Sequence, residues 1–129
     1  MDTAELGSTG IRVSRLCFGT GTNGWRGRSN QTDLGLQELP DLLRYAHNRG
    51  ITFWDSADQY GSHPHVARAL TGLNREDVVI TTKTCAKTAS EAEGDIDRYL
   101  RELGADYLDI VLMHCMTSAD WPKTHAGVM

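Results

Sequence analysis

Asp55, Lys83 and His114 each close a short apolar segment, and Tyr60 follows Asp55 by five residues. In parallel α/β folds the carboxyl ends of the strands share one rim, and ligands bind there. Four ionisable side chains are therefore expected to meet at one end of a sheet. A phenol is a poor acid at neutral pH, so a tyrosine that donates a proton needs its phenolate stabilised. A lysine ammonium about 4 Å away, at an effective dielectric of about 20, supplies on the order of 4 kcal/mol of that stabilisation. Asp55 would hold the ammonium in place. Neutral His114 would donate a hydrogen bond to a carbonyl oxygen and fix its direction. No covalent nucleophile stands beside a base in this set, so the expected chemistry is proton donation to an oriented carbonyl.

The elements that must carry these residues follow from periodicity. Ala4 to Leu6 and Ile11 to Ser14 flank the glycine-bounded turn Gly7-Ser8-Thr9-Gly10 and read as a hairpin. Arg15 to Gly19 is a short strand, and the polar, glycine-rich stretch from Thr20 to Asp33 is a long loop. Leu36, Leu39, Leu42, Leu43 and Ala46 fall at helical spacing before Gly50. Pro40 predicts that the helix begins near it, with Leu36 and Leu39 in the lead-in. Ile51 to Trp54 is a strand ending at Asp55, and a second helix from about Pro64 carries Val66, Ala69, Leu70 and Leu73 on one face. Val78 to Thr82 is a third strand ending at Lys83. Thr88-Ala89-Ser90-Glu91 has capping-box spacing ahead of a helix that Gly104 stops. Leu108 to Met113, interrupted by Asp109, is a fourth strand ending at His114. The result is a βαβαβαβ run, hence a parallel sheet with right-handed crossovers, either open or curled into a barrel.

Composition excludes several other classes. The chain has 129 residues, 13 Lys+Arg against 17 Asp+Glu and a net charge of −4. Its basic residues are scattered apart from Arg26-Gly27-Arg28, so nucleic acid and anionic membrane surfaces are poor partners. The start Met1-Asp2-Thr3-Ala4-Glu5 lacks a basic leader with an apolar core, and no segment approaches the roughly 18 apolar residues of a membrane span. Cys17, Cys85 and Cys115 are odd in number and lack CxxC spacing, as expected of reduced thiols. The expected location is cytoplasmic.

These residues carry a resemblance. Leu6-Gly7-Ser8-Thr9-Gly10, Phe18-Gly19-Thr20, Asp55-Ser56-Ala57-Asp58-Gln59-Tyr60-Gly61, Thr81-Thr82-Lys83, Leu103 to Asp109 and His114 follow one another as in the aldo-keto reductases. The chain resembles that family from about residue 4 to 115. The resemblance implies a (β/α)8 TIM barrel of which 1–129 supplies one partial domain: the N-terminal hairpin and the first four βα units. It also implies an oxidoreductase that reduces an aldehyde or ketone with hydride from NADPH, NADH being the alternative cofactor. Carried over by position, Tyr60 matches the general acid, Lys83 and Asp55 the pair that tunes it, and His114 the residue that orients the carbonyl. Gly19, Thr20 and Gly21, with Asp55, match positions near the nicotinamide and its ribose. A small-molecule carbonyl compound is the implied partner. A closed barrel of this kind takes about 250 residues, so four units leave two strand edges open to self-association.

Three departures accompany the match. Ser62-His63-Pro64-His65 stands where many members have an acidic residue, no proline follows His114 within Cys115-Met116-Thr117, and the later half of the barrel has no counterpart. Rival readings also exist. Gly19-Thr20-Gly21-Thr22-Asn23-Gly24 spells GxGxxG after a strand, but the polar stretch from Trp25 to Asp33 is no helix to receive a pyrophosphate. His63 and His65 could serve a metal-dependent barrel hydrolase, although surface histidines flanking a helix start are the plainer expectation. A non-catalytic fragment that keeps the four residues without holding a cofactor is the third. Trp54 and Trp121 read as packing residues and Trp25 as a pocket wall.

Overall fold

The computed structural model describes residues 1–128. Gly7 and Gly10, with φ of 59° and 75°, turn the chain between β1 (Thr3–Glu5) and β2 (Arg12–Ser14), an antiparallel pair. Ser14 Oγ then accepts hydrogen bonds from the Thr52 and Phe53 amides, each at 3.1 Å, which fastens the hairpin to the main sheet.

That sheet contains β3 (Cys17–Gly19), β4 (Phe53–Asp55), β5 (Val79–Thr84) and β6 (Ile110–Met113), all parallel and in chain order. The crossovers contain α1 (Gly35–Asn48), α2 (His63–Leu70) and α3 (Ala89–Leu103), and α2 packs against both of the others. Strands added one after another, with helices forming a continuous outer layer, are how a barrel grows. An open doubly wound sheet would reverse its strand order instead. The (β/α) barrel architecture expected from the sequence is thus present as four strands, with β3 and β6 as its edges. A four-residue helix, α4 (Trp121–Thr124), follows β6. No helix among the described residues is long and apolar enough to cross a membrane.

The core lies between sheet and helices. Successive strand residues point to opposite faces, so Trp54 and Ile80 meet Leu39, Leu43, Val66, Ala69 and Leu103 in one buried cluster, while Asp55, Thr81 and Lys83 occupy the other face. Fully burying side chains of this size contributes roughly 1.5–3 kcal/mol each. Trp54 satisfies its indole by donating to the Ile51 carbonyl at 3.0 Å.

Two boundaries differ from the periodicity reading. The first helix begins at Gly35, five residues before Pro40, and holds Leu39, Pro40 and Leu43 in its buried face while Leu36 is exposed. The ring of Pro40 forfeits one helical hydrogen bond, and burial of its apolar neighbours offsets that loss. Asp109 does not interrupt a strand but precedes one. Its Oδ2 accepts from the Ile80 amide at 2.9 Å and pairs with Arg75 at 2.5 Å, so it closes the amino end of the sheet. By contrast, the Thr88–Glu91 capping box and the left-handed Gly104 (φ 61°) bound α3 as expected.

Candidate active site

Register sets the rim. Gly19 pairs with Asp55 and Asp55 with Thr81, and pairing continues past the strand ends: Thr20 N donates to Asp55 O at 3.0 Å, Ser56 N to Thr81 O at 2.8 Å, and His114 N to Thr84 O at 2.8 Å. Asp55, Lys83 and His114 are therefore delivered to one end of the sheet by backbone hydrogen bonds alone. After β4 the chain makes a 3-10 turn over Asp58–Tyr60, ended by Gly61 at φ 65°, and this turn brings Tyr60 over the same end.

The four side chains meet there. Lys83 Nζ donates to Asp55 Oδ1 at 2.6 Å and to the Ser56 carbonyl at 2.8 Å, and it stands 4.9 Å from the centre of the Tyr60 ring. The Tyr60 hydroxyl lies 3.4 Å from His114 Nε2, with the two rings edge to face at 5.4 Å and 82°. Burial first, and the Lys83 charge second, hold the His114 imidazole below its ordinary value, so it is neutral at pH 7 and able to donate a hydrogen bond. The Asp55–Lys83 pair is largely buried, which limits screening of the ammonium's field at the ring.

Gly19, Thr20 and Gly21 line the same rim in different ways. Nothing lies within 4 Å of where a Cβ on Gly19 would stand, so the end of β3 is open. Thr20 is fully buried: its hydroxyl is 2.8 Å from both Asp55 O and Ser62 Oγ, and its carbonyl accepts from Ser29 Oγ at 2.6 Å. Its polar groups are spent inside the protein, so Thr20 frames the rim. Gly21 is a packing requirement, because a Cβ there would stand 2.3 Å from Tyr60 Cε2.

Several contributing residues give no signal in the local pattern. A Cβ on Gly24 would meet Tyr60 Cδ1 at 2.3 Å, and one on Gly61 would meet the Gly27 carbonyl at 2.0 Å. The long loop is thus fitted to the tyrosine by glycines from three places. In place of a helix after the GxGxxG string, Trp25 and Arg28 form an isolated bridge and the first helical turn is Thr32–Leu34. Trp25 itself is exposed, whereas Trp54 is the packing residue expected.

His63 and His65 are buried, contrary to the surface expectation. His63 Nδ1 is 2.6 Å from Glu102 Oε2 and Nε2 is 2.8 Å from Thr82 Oγ1, which uses both ring nitrogens between α2, α3 and β5. Thr82 faces the helices and Lys83 the opposite side, so this histidine does not share the rim. No group of three or more potential metal ligands gathers among the described residues. Cys17, Cys85 and Cys115 are unpaired.

Known proteins share this sequence pattern and this fold. Residues 15–122 match the profile of the Aldo/keto reductase family. Versiconal hemiacetal acetate reductase of Aspergillus parasiticus is 38% identical over 91 residues, 64% of this chain and 25% of its own length. Glycerol 2-dehydrogenase (NADP(+)) of Saccharomyces cerevisiae is 30% identical over 118 residues, 89% of this chain and 32% of its own. A thermostable aldo-keto reductase solved with the inhibitor epalrestat superposes with a TM-score of 0.76 at 28% identity, covering 88% of this chain and 43% of that one. The chain spans a quarter to a third of the length of these two curated relatives. A profile match over most of the sequence, on a fold shared with a solved member, makes this chain a member of the Aldo/keto reductase family.

Proposed function

We propose that the chain carries the proton-donating half of a carbonyl reductase site, in which Tyr60 protonates an aldehyde or ketone oxygen as hydride reaches the carbonyl carbon. The observation that carries this reading is the convergence of Lys83, Asp55, Tyr60 and His114 at the carboxyl end of the sheet. Each residue has a separate task. His114, neutral, directs a hydrogen bond at the carbonyl oxygen. Tyr60 gives its hydroxyl proton to that oxygen as charge develops. The Lys83 ammonium stabilises the phenolate left behind, and Asp55 with the Ser56 carbonyl holds the ammonium in place.

The hydride comes from a reduced nicotinamide dinucleotide in this reading, and the residues present fit its nicotinamide end. Gly19 leaves open space beside the rim, Gly21 brings the backbone close to Tyr60, and Asp55 Oδ2 has no hydrogen-bond partner among the described residues, so it can accept from a ribose hydroxyl. Thr20 supports that end by framing it. NADPH is the form proposed, on the printed name of the yeast relative, with NADH as the alternative. The substrate class proposed is a small aldehyde or ketone, the carbonyl that Tyr60 and His114 would address.

Replacing Tyr60 by Phe removes the proton and keeps the ring between Gly21 and Gly24. Turnover is expected to fall by at least the roughly 10²–10⁴-fold of a lost general acid, while cofactor affinity, followed by tryptophan fluorescence, stays unchanged. Retained turnover would refute the role of Tyr60. No fluorescence response to cofactor in the unaltered chain would favour the non-catalytic fragment.

A further inference from the structure

We propose that Arg98 is a positioning residue for Tyr60, acting through Asp58. The inference deepens the carbonyl reductase reading and rests on it for its kinetic consequence, though not for its geometric one.

On sequence alone, Arg98 has the spacing of a surface helix residue, with Asp95 three before it and Glu102 four after. Such pairs on an exposed helix contribute little. Its guanidinium does more than pair along α3. Nη1 and Nη2 donate to Asp58 Oδ1 and Oδ2 at 2.7 and 3.0 Å, a two-pronged bond from the helix to the 3-10 turn that carries Tyr60. A bidentate fork fixes direction as well as distance.

The fork is itself held on every side. Asp95 Oδ1 accepts from Arg98 at 2.8 Å while its Oδ2 accepts from Thr84 Oγ1 at 2.5 Å, which ties the cluster to β5. Glu102 Oε1 accepts from Arg98 at 3.1 Å while its Oε2 meets buried His63, which ties it to α2. The Arg98 guanidinium also stacks over the Tyr99 ring at 4.8 Å. Three carboxylates, Asp58 foremost, hold this arginine above its ordinary pKa. With the side chain about a third exposed, the charge energy is screened, and the contribution is one of placement.

The turn needs that placement. Gln59 is tied by its carbonyl to the Gly27 amide at 2.9 Å and by its side chain to Cys85 Sγ at 2.9 Å, both of them loop residues. Asp58–Arg98 is the turn's ion pair to the helical layer among the described residues. Without it, Asp58 turns to solvent, the turn loosens, and Tyr60 leaves its edge-to-face seat on His114. A displacement of about 1 Å from productive geometry costs on the order of 10²-fold in rate.

The test compares the 129-residue chain with Arg98→Met, Asp58→Ala, their double variant and Arg98→Lys. Ring resonances of Tyr60 and His114, with the nuclear Overhauser contacts between them, report the seat whether or not the chain turns over substrate. We expect both single variants and the double variant to lose the Tyr60–His114 contacts to the same extent. kcat should fall by about 10²-fold with cofactor affinity unchanged, and Arg98→Lys, which keeps the charge but not the fork, should recover part of each. Where Arg98→Met does not fold, Asp58→Ala carries the test, since it leaves Asp95 and Glu102 on the guanidinium. Unchanged ring contacts in folded Arg98→Met and Asp58→Ala would overturn the proposal. So would parallel loss of turnover and cofactor affinity, the mark of general destabilisation. A chain that shows the contacts and their loss but never turns over would refute the reductase reading alone.

Discussion

Tyr60 is seated as much by absent side chains as by polar partners. Gly21 and Gly24 both approach its ring so closely that any Cβ would stand within 2.3 Å of a ring carbon. Gly21→Ala should therefore push the ring from His114 and lower kcat by about 10²-fold, with little change in the thermal midpoint because the site lies at the rim and not in the core. Steady-state kinetics beside a melting curve measure both; wild-type kcat would show that the ring does not depend on this glycine. Asp55, Lys83 and His114 were legible in the sequence because each ends an apolar strand, and strand ends converge by topology. Gly24, Gly61 and the Asp58–Arg98 fork were not, since they depend on which distant segments approach one another. Nor was the burial of His63, whose partner Glu102 is 39 residues away.

Helix and strand boundaries show the same division. The ends of α3 could be read because their determinants are local: a Thr88 hydroxyl accepting from the Glu91 amide at 3.3 Å, and a glycine in left-handed geometry. The start of α1 could not, because local rules place Pro40 at a helix entrance, whereas packing of Leu39 and Leu43 on Trp54 carries the helix back to Gly35. Asp109 broke an apolar run in the sequence for a tertiary reason, its bond to the Ile80 amide. The capping box gives a direct test. Thr88→Ala is expected to destabilise the chain by ~1 kcal/mol, measured by denaturant unfolding at unchanged m-value; no loss would mean that the helix entrance frays in the native chain.

At the largest scale the described residues form a hairpin and a four-stranded parallel sheet whose β3 and β6 edges, with Leu16, Val111 and Leu112 exposed, lack strand partners among those residues. We expect the isolated chain to self-associate through these edges, visible as a concentration-dependent mass in sedimentation; a monomer at all concentrations would count against it. The strand order was legible from the alternation of patterns, but which strands stay unpaired is a property of the assembled sheet. Burial holds His63, His65 and His114 below their ordinary value of 6.5. Just below that pH the unfolded chain binds more protons than the folded one. Stability contributed by the neutral rings is thus fully present above 6.5 and declines as pH falls through the folded values. The denaturant midpoint should be lower at about pH 5.5 than at about pH 7.5, and an equal or higher midpoint would contradict it. The measurement that bears most directly on the site is hydride transfer itself. With NADPH deuterated at the transferring position and an aldehyde substrate, we expect one deuterium on the alcohol carbon from the unaltered chain and at least about 10²-fold less deuterated alcohol from Tyr60→Phe in the same time. An unaltered chain that yields no deuterated alcohol would contradict the assignment.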